Sequence, residues 1–122
     1  MTRSRATARA AGPAFERLIA DYLATQVDDR IDRRVKTGAK DRGDIGGVRC
    51  HGQRVVIEAK NVATLALPAW TREAQVEAGN DDALVGVVVH KRRGTQKPGE
   101  QWCSMTVDDL VALLTGQRPD ND

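Results

Sequence analysis

Gly43-Asp44-Ile45 and, after a short interval, Val55-Val56-Ile57-Glu58-Ala59-Lys60 decide how this chain is read. Successive side chains of a strand alternate between its two faces. Glu58 and Lys60 therefore share one face, and Val55, Ile57 and Ala59 share the other. Between the two stretches lies Val48-Arg49-Cys50-His51-Gly52-Gln53, whose His-Gly pair suits a tight hairpin turn. With that hairpin closed, Asp44 sits across from the Glu58–Lys60 end of the next strand. Two carboxylates and an amine gathered there suit a divalent cation and a water beside a scissile phosphate. A plainer reading of the same residues is an exposed strand of alternating charge, with Glu58 bridged to Lys60 and Asp44 ending a turn.

N-terminal to this stretch, residues 1–11 show no hydrophobic period and read as a flexible basic arm carrying Arg3, Arg5 and Arg9. From Gly12 the pattern is helical, with Phe15, Leu18, Ile19, Tyr22 and Leu23 on one face. Pro13 is expected in the first turn, where its missing donor costs nothing. Glu16 lies beside the apolar stripe; a carboxylate there favours the start of a helix electrostatically. Asp28 to Thr37 predicts a first strand, with Ile31 and Val35 as its apolar members. Gly38 to Gly43 is a turn rich in glycine and charge. Strands at Asp44–Val48 and Arg54–Lys60 then complete a meander.

C-terminal to it, a second helix is expected over about Leu67–Ala78, with Pro68 in its first turn and Gly79-Asn80 at its end. Leu67, Trp70 and Ala74 share a face, and Arg72, Glu73 and Glu77 lie elsewhere. Trp70 suits a core position or a stacking platform. Leu84 to His90 is an apolar run that fits a central strand buried on both faces. A basic loop, Lys91–Lys97, leaves its end, and Gln101–Met105 makes a further strand. Thr106, with Asp109 three residues on, opens the last helix. That helix is expected to bury Val107, Leu110, Val111 and Leu114 until Gly116 stops it. The order α-β-β-β-α-β-β-α predicts an α/β fold, a mixed sheet with helices against it. Residues 12–116 form its single domain and 117–122 a polar tail.

At 122 residues the chain has room for one core and not two. No apolar run approaches the length that crosses a bilayer, and the basic N-terminus lacks the apolar core of a signal peptide. A cytoplasmic location is the expectation, in a host's cytoplasm for a phage-encoded chain. Cys50 and Cys103 imply no disulfide framework. With His51 and His90 they also lack the close paired spacing of zinc modules.

The net charge of +2 hides a separation of sign. Residues 30–42 carry Arg30, Arg33, Arg34, Lys36, Lys40 and Arg42 against Asp32 and Asp41. Lys91, Arg92, Arg93 and Lys97 follow with no acid among them, whereas Glu73, Glu77, Asp81 and Asp82 cluster in between. Such runs are solvated loops in many proteins. Beside a candidate metal site, they suit a face turned to phosphate. Arg33, Arg34, Lys36, Lys40, Arg42, Lys91, Arg92, Arg93 and Lys97 are the candidate DNA contacts, with Gln75 on the second helix as another.

Asp44, with Glu58-Ala59-Lys60 some way downstream, resembles the signature of the PD-(D/E)xK nuclease superfamily, whose core is restriction-endonuclease-like. Within it the chain is most similar to the small Holliday-junction-resolvase-like nucleases of archaea and phages. Gly12-Pro13-Ala14-Phe15-Glu16-Arg17-Leu18 is similar to their opening helix. Leu67-Pro68-Ala69-Trp70 and Gly86-Val87-Val88-Val89-His90-Lys91-Arg92-Arg93-Gly94 look like phage members. The resemblance runs from about Gly12 to Leu114. Gly43 departs from it, standing where a proline often precedes the aspartate.

The resemblance implies a Mg²⁺ (or Mn²⁺) ion held by Asp44, Glu58, the Ala59 carbonyl and Glu16, the last directly or through water. Lys60 then either stabilises charge on the phosphate or helps position and deprotonate the attacking water. The implied activity is metal-dependent, structure-selective DNA endonuclease, with a four-way junction as substrate and a homodimer as the working unit. Cutting of flaps, ends or duplex, and DNA binding without cutting on the same fold, are the alternatives.

Overall fold

The computed structural model describes residues 5–35 and 40–120. In chain order its elements are α1 (Arg5–Gln26), β1 (Asp32–Arg33), β2 (Ile45–Gly46), β3 (Arg49–Cys50), β4 (Gln53–Lys60), α2 (Leu67–Asn80), β5 (Val85–His90), β6 (Trp102–Ser104) and α3 (Val107–Thr115). One 3-10 turn, Pro98–Glu100, precedes β6. The result is a mixed α/β fold, a six-stranded sheet with three helices against it. The main strand order is β1-β2-β4-β5-β6, with β3 paired to β4 off that path.

Strands β4 and β5 form the middle of the sheet and run parallel, from Val55↔Val85 to Lys60↔His90. Parallel neighbours need a crossover, and α2 supplies it. Both faces of this pair are covered, which explains the unbroken apolar run of β5. Val55, Ile57, Val85 and Val87 pack with Phe15, Ile19 and Ala20 of α1 in the main core. On the opposite face, Val88 packs with Trp70 and Ala74 of α2. That second contact is very close. A Cβ on Gly86 would run into the Ala74 carbonyl, so only glycine lets α2 lie this near the sheet.

The hairpin forms as expected. His51 and Gly52 take φ values of 54° and 72°, the left-handed pair of a two-residue turn, and Arg49–Cys50 pairs with Gln53–Arg54 across it. This short β3 adds one strand to the expected order.

Other boundaries differ from expectation. The helix begins at Arg5 rather than Gly12, leaving Pro13 in its interior and only residues 1–4 of the expected arm outside the described chain. Arg5-Ala6-Thr7-Ala8-Arg9-Ala10-Ala11 is alanine-rich, and that propensity extends the helix backwards. Within the expected strand Asp28–Thr37 the described residues pair only at Asp32–Arg33, against Ile45 and Gly46, and residues 36 and 37 lie outside the described residues. Ile31 is buried, but Val35 is exposed.

The face of α3 is also different. Val107, Leu110 and Leu114 are exposed, Val111 is half-buried, and Asp109 and Ala112 are fully buried. Apolar residues surround most of this short helix, so periodicity alone does not choose its buried side. On that side Ala112 and Leu113 join the main core, and Arg118 Nη1 donates to Asp109 Oδ1 at 2.8 Å and to the Leu84 carbonyl at 3.0 Å. Thr106 caps the helix as expected, accepting from the Asp109 N–H at 3.2 Å.

Candidate active site

Strand alternation on β4 turns Val55 and Ile57 toward α1 and leaves Glu58 and Lys60 facing α2. The antiparallel register Ile45↔Ile57 then brings Asp44 beside Glu58 and Ala59. Asp44 is held at every backbone group. Its N–H donates to the Ile57 carbonyl at 2.9 Å, and its own carbonyl accepts from the Arg34 N–H at 2.8 Å. Its Oδ2 accepts from the Ala59 N–H at 2.8 Å. Asp44, Glu58 and Lys60 are therefore brought together as their spacing predicts.

Helix α2 completes the surroundings. Four residues of helix rise about 6 Å, nearly the advance of two residues in a strand. Glu73 and Glu77 consequently meet Lys60 and Glu58 in matching steps. Lys60 Nζ donates to Glu73 Oε2 at 2.8 Å and lies 3.7 Å from Glu58 Oε1. Glu77 lies inside, not among the outward residues of the helix as expected; Trp70, Ala74, Glu77 and Ala78 form one buried stripe. Asp41 approaches from the loop before β2. Its Oδ1 accepts from the Gly43 N–H at 2.9 Å, and its carbonyl from Asn80 Nδ2 of α2 at 2.8 Å.

One carboxylate oxygen from each of Asp41, Glu58 and Glu77 lies within 4.8 Å of the others. Glu58 and Glu77 are only 5% and 4% exposed, and the Oε2 atom of each is buried with no nitrogen or hydroxyl donor among the described residues. Burial, then the Glu77 hydrogen bond and the Asp44 charge, push the Glu58 carboxyl up to about 11. Burial likewise raises Glu77, to about 7, against the hydrogen bond from Glu58, which lowers it. Like charges this close in a low dielectric do not both ionise without a cation. For Lys60, burial works against the charge. The Glu73 hydrogen bond and the Glu58 charge outweigh it, and the amine is held above its ordinary value.

The remaining predicted residues lie around this centre. Glu16 is outside the carboxylate cluster; its Oε2 accepts from Nε and Nη2 of Arg33 at 3.1 and 3.0 Å. Arg34 forks onto Asp81, at 3.0 and 3.3 Å. Lys40, Arg42 and Gln75 are exposed, and Lys36 lies outside the described residues. Lys91 folds back onto the carbonyls of Arg92 and Thr95, and the Lys97 ammonium is 4.0 Å from Glu100.

Beside Lys60 opens a groove of about 410 Å³, lined among others by His90, Lys91, Arg92, Arg93 and Trp102. The Arg92 guanidinium lies 4.7 Å from the centre of the Trp102 ring, which is 49% exposed. Arg93 donates to the Val62 carbonyl at 3.0 Å. Trp70 forms the groove's floor, buried, with its ring 5.6 Å from that of His90. A second cleft, about 570 Å³, lies on the α2 side and is lined by Asp41, Glu73 and Glu77.

A mixed α/β sheet that gathers buried carboxylates and a lysine between two clefts is the class of architecture these residues define. Comparison of the chain with protein-family models, curated proteins and solved structures gives no match.

Proposed function

We propose that the protein is a metal-dependent, structure-selective DNA endonuclease with a restriction-endonuclease-like core, and that a four-way junction is its substrate. One observation carries this reading: Asp44 and Glu58 meet on paired strands with Lys60 two residues on, and a buried oxygen of Glu58 lacks any partner. An orphaned carboxylate oxygen among other carboxylates fits a hard cation, for which oxygen donors are the right chemistry. Asp44 and Glu58 are the protein groups assigned to it, with the Ala59 carbonyl as a further oxygen. When bound, Mg²⁺ or Mn²⁺ supplies an acidified water and charge neutralisation at the phosphate.

The chain's own groups do the rest. The Glu73 hydrogen bond favours a protonated Lys60, which supports charge stabilisation at the phosphate over proton abstraction. Arg92 and Arg93 stand along the groove that begins at Lys60, where a DNA backbone would follow. Glu16 is engaged by Arg33 and has no part in this assignment.

A second reading concerns the substrate alone. Trp102, half-exposed beneath Arg92, offers a stacking surface for an unpaired base. That favours flaps or single-stranded branches over a fully paired junction. Incubating labelled four-way junction, flap, duplex and single strand with Mg²⁺ or EDTA tests both. Mg²⁺-dependent cutting of the junction is expected. Flap cutting alone selects the second reading, and no cutting of any substrate defeats the nuclease reading.

A further inference from the structure

We infer that α2, not α1, supplies the acid that completes the divalent-cation site: Glu77, together with Asp41, closes an oxygen-only site around Glu58. This deepens the metal-dependent reading above and rests on it. Three carboxylate oxygens, from Asp41, Glu58 and Glu77, already lie within 4.8 Å of one another. Oxygens so spaced can share one cation with only a small inward adjustment of their side chains, since hard divalent cations take oxygen ligands at about 2.0–2.6 Å. A cluster of acids is common without an ion, but this one has orphaned atoms. Glu58 Oε2 and Glu77 Oε2 are both buried, and no nitrogen or hydroxyl donor among the described residues reaches either, a costly state in a protein interior.

Among the described residues no lysine or arginine reaches those two atoms. Lys60 is 3.7 Å from the other oxygen of Glu58 and is engaged by Glu73. An external divalent cation satisfies both orphans and offsets the repulsion. The cleft on the α2 side, bounded by Asp41 and Glu77, gives it a way in. The donors are held rigidly: Glu77 on a helix packed against Gly86, Asp41 through its carbonyl to Asn80. Hard oxygen donors with no nitrogen or sulfur select Mg²⁺, Mn²⁺ or Ca²⁺ over zinc.

The test measures Mn²⁺ binding to the protein without DNA, by the loss of the free-ion electron paramagnetic resonance signal. E77Q and D41N are expected to weaken Mn²⁺ binding by about tenfold or more, since even outer partners of a metal cost 10- to 100-fold. E16Q is expected to leave it unchanged. Mn²⁺ should also raise the melting temperature of the wild type and not that of E77Q, which separates lost binding from lost folding. Wild-type affinity in folded E77Q overturns the assignment. If E58Q loses binding in the same experiment, the Asp44–Glu58 site survives while the role of Glu77 does not. Wild-type protein that takes up no Mn²⁺ at millimolar concentration overturns the site itself. Mn²⁺ uptake without cutting of any DNA removes the nuclease reading and leaves the site.

Discussion

Replacing Glu58 by Gln keeps the side chain's volume and removes the charge its neighbours resist. E58Q should therefore fold at least as well as the wild type, since burial already disfavours the ionised form. Cutting should nevertheless fall by about 100-fold or more, as expected for loss of a metal ligand, and D44N should behave alike. Gel assays alongside circular dichroism check this; Mg²⁺-dependent cutting by folded E58Q would remove Glu58 from the site. A second residue reports through pH. Burial lowers the His90 imidazole below its ordinary 6.5, so near that pH the folded chain binds fewer protons than the unfolded one. The stability from neutral His90 is complete above about 6.5 and is lost as pH falls. H90Q should thus lose less stability than the wild type between about pH 7 and pH 5, the range in which histidine titrates. Equal losses in thermal unfolding would show that His90 titrates freely. Asp44, Glu58 and Lys60 were legible in the sequence because strand alternation leaves few choices. Glu77 was not, because a charged residue in a stripe with Trp70, Ala74 and Ala78 reads as solvent-facing. Its 3.6-residue spacing was the signal that pointed inward. Asp41 joins only through tertiary contacts.

The elements divide in the same way. Helix α2 and strands β4 and β5 could be read from period and length, whereas the buried side of α3 could not, since it carries Asp109, held by Arg118 beyond the helix, and leaves Leu110 and Leu114 exposed. Nor does any pattern show that Gly86 is needed for the approach of α2. G86A should destabilise the fold by roughly 1–3 kcal/mol, the usual cost of overpacking, because α2 must lift away from the sheet. Urea denaturation measures this, and a neutral effect would mean that the Ala74 contact relaxes freely. The loop after β5 carries the other prediction at this scale. Lys91 is engaged by its own loop, and Arg92 and Arg93 line the groove beyond Lys60. Charge reversal at both should weaken binding to every DNA tested and flatten its dependence on salt, because fewer condensed counterions are released. Altered cutting with unchanged affinity and salt slope would mean that the loop does not grip phosphate.

At the scale of the molecule, the proposed resolution of a junction requires two cuts from a chain with one site. The chain carries a single Asp44–Glu58–Lys60 constellation, and resolving a four-way junction takes two incisions. A symmetric pair of chains supplies two equivalent sites and matches the approximate two-fold symmetry of the junction. Trp70 of α2 offers no surface for such a pairing, because it is buried against Val88. Strand β6 ends the sheet among the described residues and carries an exposed Trp102. A plasmid that extrudes a cruciform discriminates between one chain and two. A dimer cutting both strands within one encounter converts it mainly to linear DNA. A monomer accumulates nicked circles, because the first nick relaxes the plasmid and the cruciform is reabsorbed. We expect linear product and a dimer mass in solution. Predominantly nicked product from a protein of monomer mass would defeat junction resolution as the activity, while Mg²⁺-dependent nicking would keep the Asp44–Glu58 site as that of a nuclease.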